Sequence, residues 1–181
     1  MPEPERGRIL IGIAREAIAG AAAPGAPRSW EHAWLLERGA SFVTIRDAAG
    51  ELRGCIGTVD AHRALGDDVA HNAHAAAYRD PRFAPVDPRE RPSLGVEVSV
   101  LTPRVAIAVS SEEEAIACLR PGEDGVVFEY AGRHATFLPQ VWESLPDPLD
   151  FLSELRRKAH LPARFWHREV RLWRYGVEKH K

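Results

Sequence analysis

The 181-residue sequence predicts an α+β fold, a mainly antiparallel sheet flanked by helices. Three observations lead there. Segments with helical spacing of apolar residues are interspersed with short strand-like ones, without the strand–helix–strand rhythm of a parallel sheet. Two pairs of strand-like segments are joined by short connections containing glycine, at 47–50 and 131–133, as antiparallel hairpins are. Residues 94–101 alternate, with Leu94, Val96, Val98 and Val100 on one side, which marks a strand with one buried face.

The elements follow in chain order. Ile9, Leu10, Ile13, Ala14, Ala17 and Ile18 recur at helical spacing and predict a helix over 4–21, ended by a Gly/Pro/Ala loop at 20–27. Residues 30–37 read as a short helical turn. Residues 41–46 and 51–59 read as the first hairpin. Residues 64–79 are alanine-rich, with Leu65, Val69, Ala73, Ala76 and Ala77 along one side of a second helix. Asp80-Pro81 ends it, because a proline disfavours the helical conformation in the residue before it. Prolines 81, 85, 88 and 92 make the next stretch irregular. Ser111-x-x-Glu114 is a capping box before a short helix. The second hairpin spans 126–130 and 134–138. Asp147 caps a third long helix with Pro148 at its first position. A strand at 170–175 closes the series.

Composition excludes several classes. With 45% hydrophobic residues the chain buries a real core, and its length fits one domain or one domain with a smaller lobe. A net charge of −2 argues against a coat for nucleic acid or an anionic membrane. Two cysteines, Cys55 and Cys118, are too few for a disulfide framework or a four-thiolate zinc site. No stretch approaches the roughly 20 apolar residues of a membrane span, and the opening Met1-Pro-Glu-Pro-Glu-Arg6 lacks a signal peptide's order. The expected location is the cytoplasm, with both thiols reduced. The bias of 21 Arg against 3 Lys, with 27 Ala, points to a GC-rich, bacterial genome.

The most unusual local sequence is Leu52-Arg-Gly-Cys-Ile-Gly-Thr58. On a strand, Arg53, Cys55 and Gly57 share one face. Two glycines within four residues weaken a strand and ask for a reason: a bulge, or close approach of a ligand or another backbone. Arg53 beside Cys55 would favour the thiolate and make it a nucleophile. The plainer reading is a structural cysteine acting as a small hydrophobe. Asp80-Pro-Arg-Phe83 would fix Arg82 on a rigid corner, either to bind an anion bidentately or to pair internally with an acid. Asp67, His71, His74 and Tyr78 share a helix face, which is either solvated or a weak metal site; no metal is expected. His62 and His74 are candidate bases if the fold brings one near Cys55. Cys118, among Ala115, Ile116 and Leu119, is expected to be buried and inert.

Leu52-Arg-Gly-Cys-Ile-Gly57 resembles the hallmark of the AMMECR family, whose prokaryotic members are called AmmeMemoRadiSam system protein A. Gly39-Ala-Ser-Phe-Val-Thr-Ile45 resembles the family's preceding strand, with Ser41 as an added residue. Asp80–Phe83, Val96–Leu101, Gly122–Gly125, Leu138-Pro-Gln-Val141 and Lys158-Ala159 follow in family order. The resemblance covers residues 6 to 177. It implies a single family domain over 1–181 with a larger and a smaller lobe. It also implies association with Memo-like and radical S-adenosylmethionine (SAM) proteins, while leaving the reaction and any cofactor unspecified. The candidate site it outlines has Cys55 and Arg53 as catalytic residues, and Gly54, Gly57, Asp80, Arg82 and Gln140 as substrate-binding ones.

One departure stands out. Many relatives read Cys-x-Lys-Ala-Gly-Leu where this chain reads Arg156-Arg-Lys-Ala-His-Leu161, so a resolving thiol at that place is missing. Three functions follow: a small-molecule enzyme or enzyme component using Cys55, an adaptor that docks a Memo-like or radical-enzyme partner, or a nucleic-acid binder. The last rests on residues 156–181, which hold nine cations and two glutamates. That is a net +7, against −9 for the rest of a chain totalling −2. Aromatics interleave these cations, as single-strand binding needs, but contact with the acidic remainder explains them equally.

Overall fold

The structure is a computed structural model that describes residues 3–20 and 29–181. The chain divides into two compact units, one of residues 1–101 and 178–181, the other of residues 102–177. The expected loop at 20–27 lies outside the described residues beyond Gly20.

The first unit is a four-stranded sheet under two helices. Its strands are β2 (Ser41–Arg46), β3 (Leu52–Gly57), β5 (Gly95–Leu101) and β10 (Val177–His180), in the order β10-β5-β2-β3. β2 pairs antiparallel with both β3 and β5. A separate two-stranded ladder joins β1 (Arg38–Gly39) to β4 (Arg63–Ala64). Helices α1 (Glu3–Ala19) and α2 (Leu65–Tyr78) cover one face of the large sheet. Period-2 alternation sends Val43, Ile45, Val96, Val98 and Val100 to that face, against Leu10, Ile13, Ala14, Val69 and Ala73. The alanines of α2 give that helix a thin apolar side and let it sit close to the strands.

The second unit repeats the pattern with other sequences. β6 (Val105–Ile107), β7 (Gly125–Tyr130), β8 (Arg133–Phe137) and β9 (Arg171–Tyr175) run in the order β6-β9-β7-β8, all antiparallel. α3 (Glu112–Cys118) and α4 (Pro148–Lys158) pack on this sheet. Its core holds Phe128, Phe151, Leu152, Leu155 and Trp142. The Trp142 and Phe151 rings stack at 3.8 Å, and the buried indole N–H donates to the Asp124 carbonyl.

Most expected elements are present within two or three residues of their sequence positions. The residue 30–37 turn is a 3-10 helix at Ala33–Leu35. β1, β4, β6 and β10 were not foreseen, since strands of two to four residues carry no measurable period. The capping box is split. The Ser111 side chain accepts from the Glu114 N–H, but the Glu114 carboxylate reaches back one residue further, to the N–H and hydroxyl of Ser110. These bonds hold Glu114 below the ordinary carboxylate range. Asp147 caps α4 as expected, accepting from Leu149 and Asp150. Cys118 corrects its expectation: it is exposed. It ends a seven-residue helix whose inward positions are Ala115 and, just beyond, Leu119, so its own side chain faces outward.

Among the described residues, two that are not glycine, Ala131 and His160, hold the left-handed backbone that favours glycine. The β7–β8 turn is two residues long, Ala131-Gly132, with φ of 49° and 77°, the signature of a type I′ hairpin. His160, where the resembling family reads glycine, has φ of 59°. A left-handed non-glycine costs about 1–2 kcal/mol. Ala131→Asn and His160→Gly are therefore expected to stabilise the protein by about 0.5–1 kcal/mol each. Urea unfolding measures this; unchanged midpoints would show that the turns relax at no cost.

Candidate functional site

β3 is an edge strand, and everything around Cys55 follows from how that edge is closed. Gly54 faces α2. A Cβ built there would stand 2.2 Å from the Ala76 carbonyl oxygen, so helix backbone touches strand backbone and only glycine fits. Gly57 has its own reason on the other face, where the Phe42 ring lies over it and a Cβ would come within 2.1 Å of that ring.

Alternation then puts Cys55 on the face away from α2. Its cross-strand partner is Thr44. The Cys55 N–H and C=O both turn outward from β2, so the two residues form a non-hydrogen-bonded pair with closely set side chains. Sγ lies 3.4 Å from the Thr44 hydroxyl. The thiol is half-buried.

The outward peptide groups of Cys55 are met by the corner after α2. Asp80 Oδ2 accepts the Cys55 N–H at 2.9 Å, and Arg82 Nη2 donates to the Cys55 carbonyl at 3.1 Å. Arg82 also binds Asp80 through both Nε and Nη2, at 2.9 and 2.7 Å, and its backbone N–H donates to Oδ1. One carboxylate and one guanidinium thus replace a missing neighbour strand. The Asp80 side chain is almost fully buried while that of Arg82 is 54% exposed. The Arg82 bond, aided by the Cys55 and Arg82 N–H groups, holds Asp80 far below the ordinary carboxylate range. Arg82 is raised in turn, chiefly by Asp80 and in smaller part by the charge of Cys55.

Arg53 lies beside this clamp with its guanidinium already engaged. Nε pairs with Glu90 at 3.1 Å, and the two Nη atoms donate to the carbonyls of Ala84 and Pro85. It ties the 84–90 segment to β3, and the cation bonded to the Cys55 peptide is Arg82. The structure thus brings Arg53, Gly54, Cys55, Asp80 and Arg82 together, and places Gly57 two residues along the strand. Gln140 is exposed on the 3-10 helix Pro139–Glu143 of the second unit.

The candidate bases have other partners. The His62 ring bonds the Asp60 carbonyl and the Arg63 guanidinium. The His74 ring packs on Tyr78 at 4.9 Å. Burial lowers both His71 and His74, with Arg63 adding to the effect at His71 and Arg79 at His74. Asp67 accepts from the Trp30 indole. No group of three metal-binding side chains occurs among the described residues.

A buried polar cluster under the hairpin went unread in the sequence. Asp68 Oδ2 accepts from the N–H and hydroxyl of Ser41 at 2.8 and 2.7 Å, and from Asn72 Nδ2 at 3.0 Å. Asn72 also donates to the Ser41 carbonyl and to the Thr58 hydroxyl. The Thr58 N–H closes the ring on the same Ser41 carbonyl. The available signal was two polar residues at i and i+4, Asp68 and Asn72, set into the apolar side of α2. Ser41 is the residue on which this ring converges.

The basic C-terminal region is largely paired. Arg156 meets Glu112, Arg157 meets Glu154, Arg171 meets Glu129, Arg174 meets Asp124 and Lys181 meets Glu97. The Lys158 ammonium donates to the Thr136 carbonyl.

Fold and site together define a two-unit α+β protein whose glycine-rich edge strand presents one half-buried thiol. The chain belongs to the AMMECR1 family: the family's model matches residues 11–180. Relatives include a protein of Thermofilum pendens, 36% identical over 96% of this chain and 88% of its own length. A protein of Methanothermobacter thermautotrophicus is 36% identical over 96% of this chain and 93% of its own. The crystal structure of the uncharacterised protein PH0010 from Pyrococcus horikoshii superposes with a TM-score of 0.75 at 32% identity, covering 98% of this chain and 91% of that one. These relatives are archaeal, so the bacterial source expected from composition gains no support from them. No helix among the described residues is long and apolar enough to cross a membrane.

Two outcomes follow from the clamp. Gly54→Ala is expected to lose about 3 kcal/mol, because strand and helix backbones must separate to admit a methyl group; a loss under about 1 kcal/mol in urea unfolding would contradict the tight contact. Asp80 has a lowered folded-state pKa, so its contribution is present above the ordinary carboxylate range and is lost as pH falls through and below it. Asp80→Asn should therefore be less stable at pH 7 and show a flatter decline in unfolding midpoint below about pH 5. Equal acid slopes would remove Asp80 as a source of acid sensitivity.

Proposed function

We propose that the chain is a small-molecule enzyme, or a component of one, in which Cys55 serves as thiolate nucleophile or carrier. In this reading it acts in the cytoplasm, in a modification pathway shared with Memo-like and radical SAM proteins. The pathway rests on the family resemblance. The chemistry rests on one observation: the Cys55 peptide is fixed at both ends by the Asp80–Arg82 pair, while its thiol, on the opposite side of the glycine, is half open.

A nucleophile benefits from such fixing because its attack geometry is set before substrate arrives. Arg82 holds the Cys55 carbonyl at 3.1 Å and so keeps a cation at the cysteine's backbone. Thr44, at hydrogen-bond distance, orients the sulfur. Arg53, Gly54 and Gly57 serve as positioning residues for this strand. The pairing of most C-terminal cations leaves little free charge for a polyanion, which favours a small molecule over nucleic acid.

The reading is tested by alkylation with iodoacetamide near neutral pH. Cys118 is exposed and would mask the result, so the experiment uses Cys118→Ser. Cys55 in the native protein is expected to react at least about threefold faster than the same thiol in denaturant, and Arg82→Gln to remove the difference. If the native thiol reacts no faster, the nucleophile is lost and an adaptor that keeps its partner after Cys55→Ser takes its place.

A further inference from the structure

Cys55 does not stand alone on its sheet face. Thr44 on β2 pairs with Cys55 of β3 on one side and with Glu97 of β5 on the other. Alternation therefore sets the three side chains in one row across the face away from α2. The outer members, Cys55 and Glu97, are two strand spacings, about 10 Å, apart at Cα. Thr44 is short and keeps the middle of the row low. In the next row Phe42 pairs with Gly57 and Ser99, and its ring lies over Gly57.

Glu97 is the acid of this row. Its side chain is 17% exposed, and Oε2 lies 3.2 Å from the ammonium of Lys181, whose own side chain is 77% exposed. Glu97 has no other ion pair among the described residues. The remaining charges about Cys55 are committed to structure. Asp80 and Arg82 neutralise each other and hold the Cys55 peptide. Arg53 is tied to Glu90 and two carbonyls. Lys181 differs from them. A long, exposed side chain holds an ion pair weakly, because water screens the charge and the chain loses rotamer freedom. The carboxylate itself is mostly withdrawn from water, where charge attracts charge more strongly. A substrate ammonium already held near the row by the rest of its molecule can therefore replace Lys181. Phe42 favours the same sign, since an aromatic ring attracts cations.

We propose that Glu97 is the specificity residue of the Cys55 site and selects a small molecule that carries an amine or other ammonium group. The reacting atom of that molecule sits over the thiol, its cation on Glu97, and its body crosses Thr44. This assignment rests on Cys55 acting as nucleophile or carrier and adds to it the chemical class of the substrate.

The test uses three methanethiosulfonates on the full chain carrying Cys118→Ser: aminoethyl, which is cationic, sulfonatoethyl, which is anionic, and methyl, which is neutral. With each, the Cys55 thiolate attacks the sulfenyl sulfur, forms a mixed disulfide and expels methanesulfinate. The cationic-to-anionic rate ratio is measured in the native protein and divided by the same ratio in denaturant. That quotient is expected to be about fivefold or more. Glu97→Gln should bring it to about one while changing the methyl reagent's rate less than about twofold. Lys181→Ala, an exposed change, should raise it, because the competing ammonium is gone. The methyl reagent, native against denatured, tests the nucleophile separately: no acceleration there with the cation preference intact removes the nucleophile and leaves the charge selection standing. A quotient of one or below overturns the proposal, as does a quotient unchanged in folded Glu97→Gln. If that variant does not fold, Lys181→Ala decides, and an unchanged quotient there overturns it. A Cys55 that none of the three reagents reaches removes both readings.

Discussion

The contact on which the first unit depends is backbone against backbone. The Ala76 carbonyl of α2 lies where a side chain at Gly54 would begin. This approach fixes three things at once. It requires glycine on the strand, and it sets the distance between helix and sheet. It also brings the C-terminal end of α2 level with the open edge of β3. The next residues, Asp80 and Arg82, therefore arrive opposite the unpaired peptide groups of Cys55. The Cys55 backbone is thus placed by helix–strand spacing, and the Thr44 hydroxyl stands 3.4 Å from its sulfur.

The polar ring of Asp68, Asn72, Ser41 and Thr58 belongs to the same constraint. A helix this close to a sheet excludes water from between them, so polar groups trapped there must satisfy one another. Asp68 Oδ2 accepts three donors and the Ser41 carbonyl accepts two. Such a network specifies one register of β2 against α2, because a slip would strand every member. Apolar packing between alanines is weakly directional. The hydrogen bonds supply the direction that the alanines lack.

These features explain what could and could not be read from the chain. Long periodic segments, α1, α2, β5 and the two hairpins, were legible because burial imposes a period on them. The glycines of β3 and the Asp80 corner were each legible as anomalies. Their mutual contact was not, since nothing local says that Asp80 reaches a residue 25 positions earlier. Arg53 seemed the natural partner of Cys55 because strand alternation puts both on one face. Strand geometry does place them so, but a long side chain goes where carbonyls and Glu90 await it. Asp68 and Asn72 stand as polar residues on an apolar stripe, and the stripe itself is the stronger pattern. Cys118 was misjudged because a helix of two turns has room for few inward positions.

The departure at 156–160 closes the account of the thiol chemistry. Where the resembling family reads cysteine, Arg156 is fully buried. It donates to the carbonyls of Leu152 and Phe165, to the Ser153 hydroxyl and to Glu112. A buried guanidinium is tolerable only when so thoroughly bonded, and removing one partner is far more costly than never having had the pair. The Arg156 guanidinium thus cross-links α4, α3 and the 165 loop. His160, left-handed where glycine would sit, accompanies it. With this site committed to structure, no thiol stands at that place, and the other cysteine of the chain, Cys118, is exposed at the end of α3. If the chemistry of Cys55 includes a disulfide or mixed-disulfide step, the second sulfur is that of Cys118 or comes from a substrate or a partner.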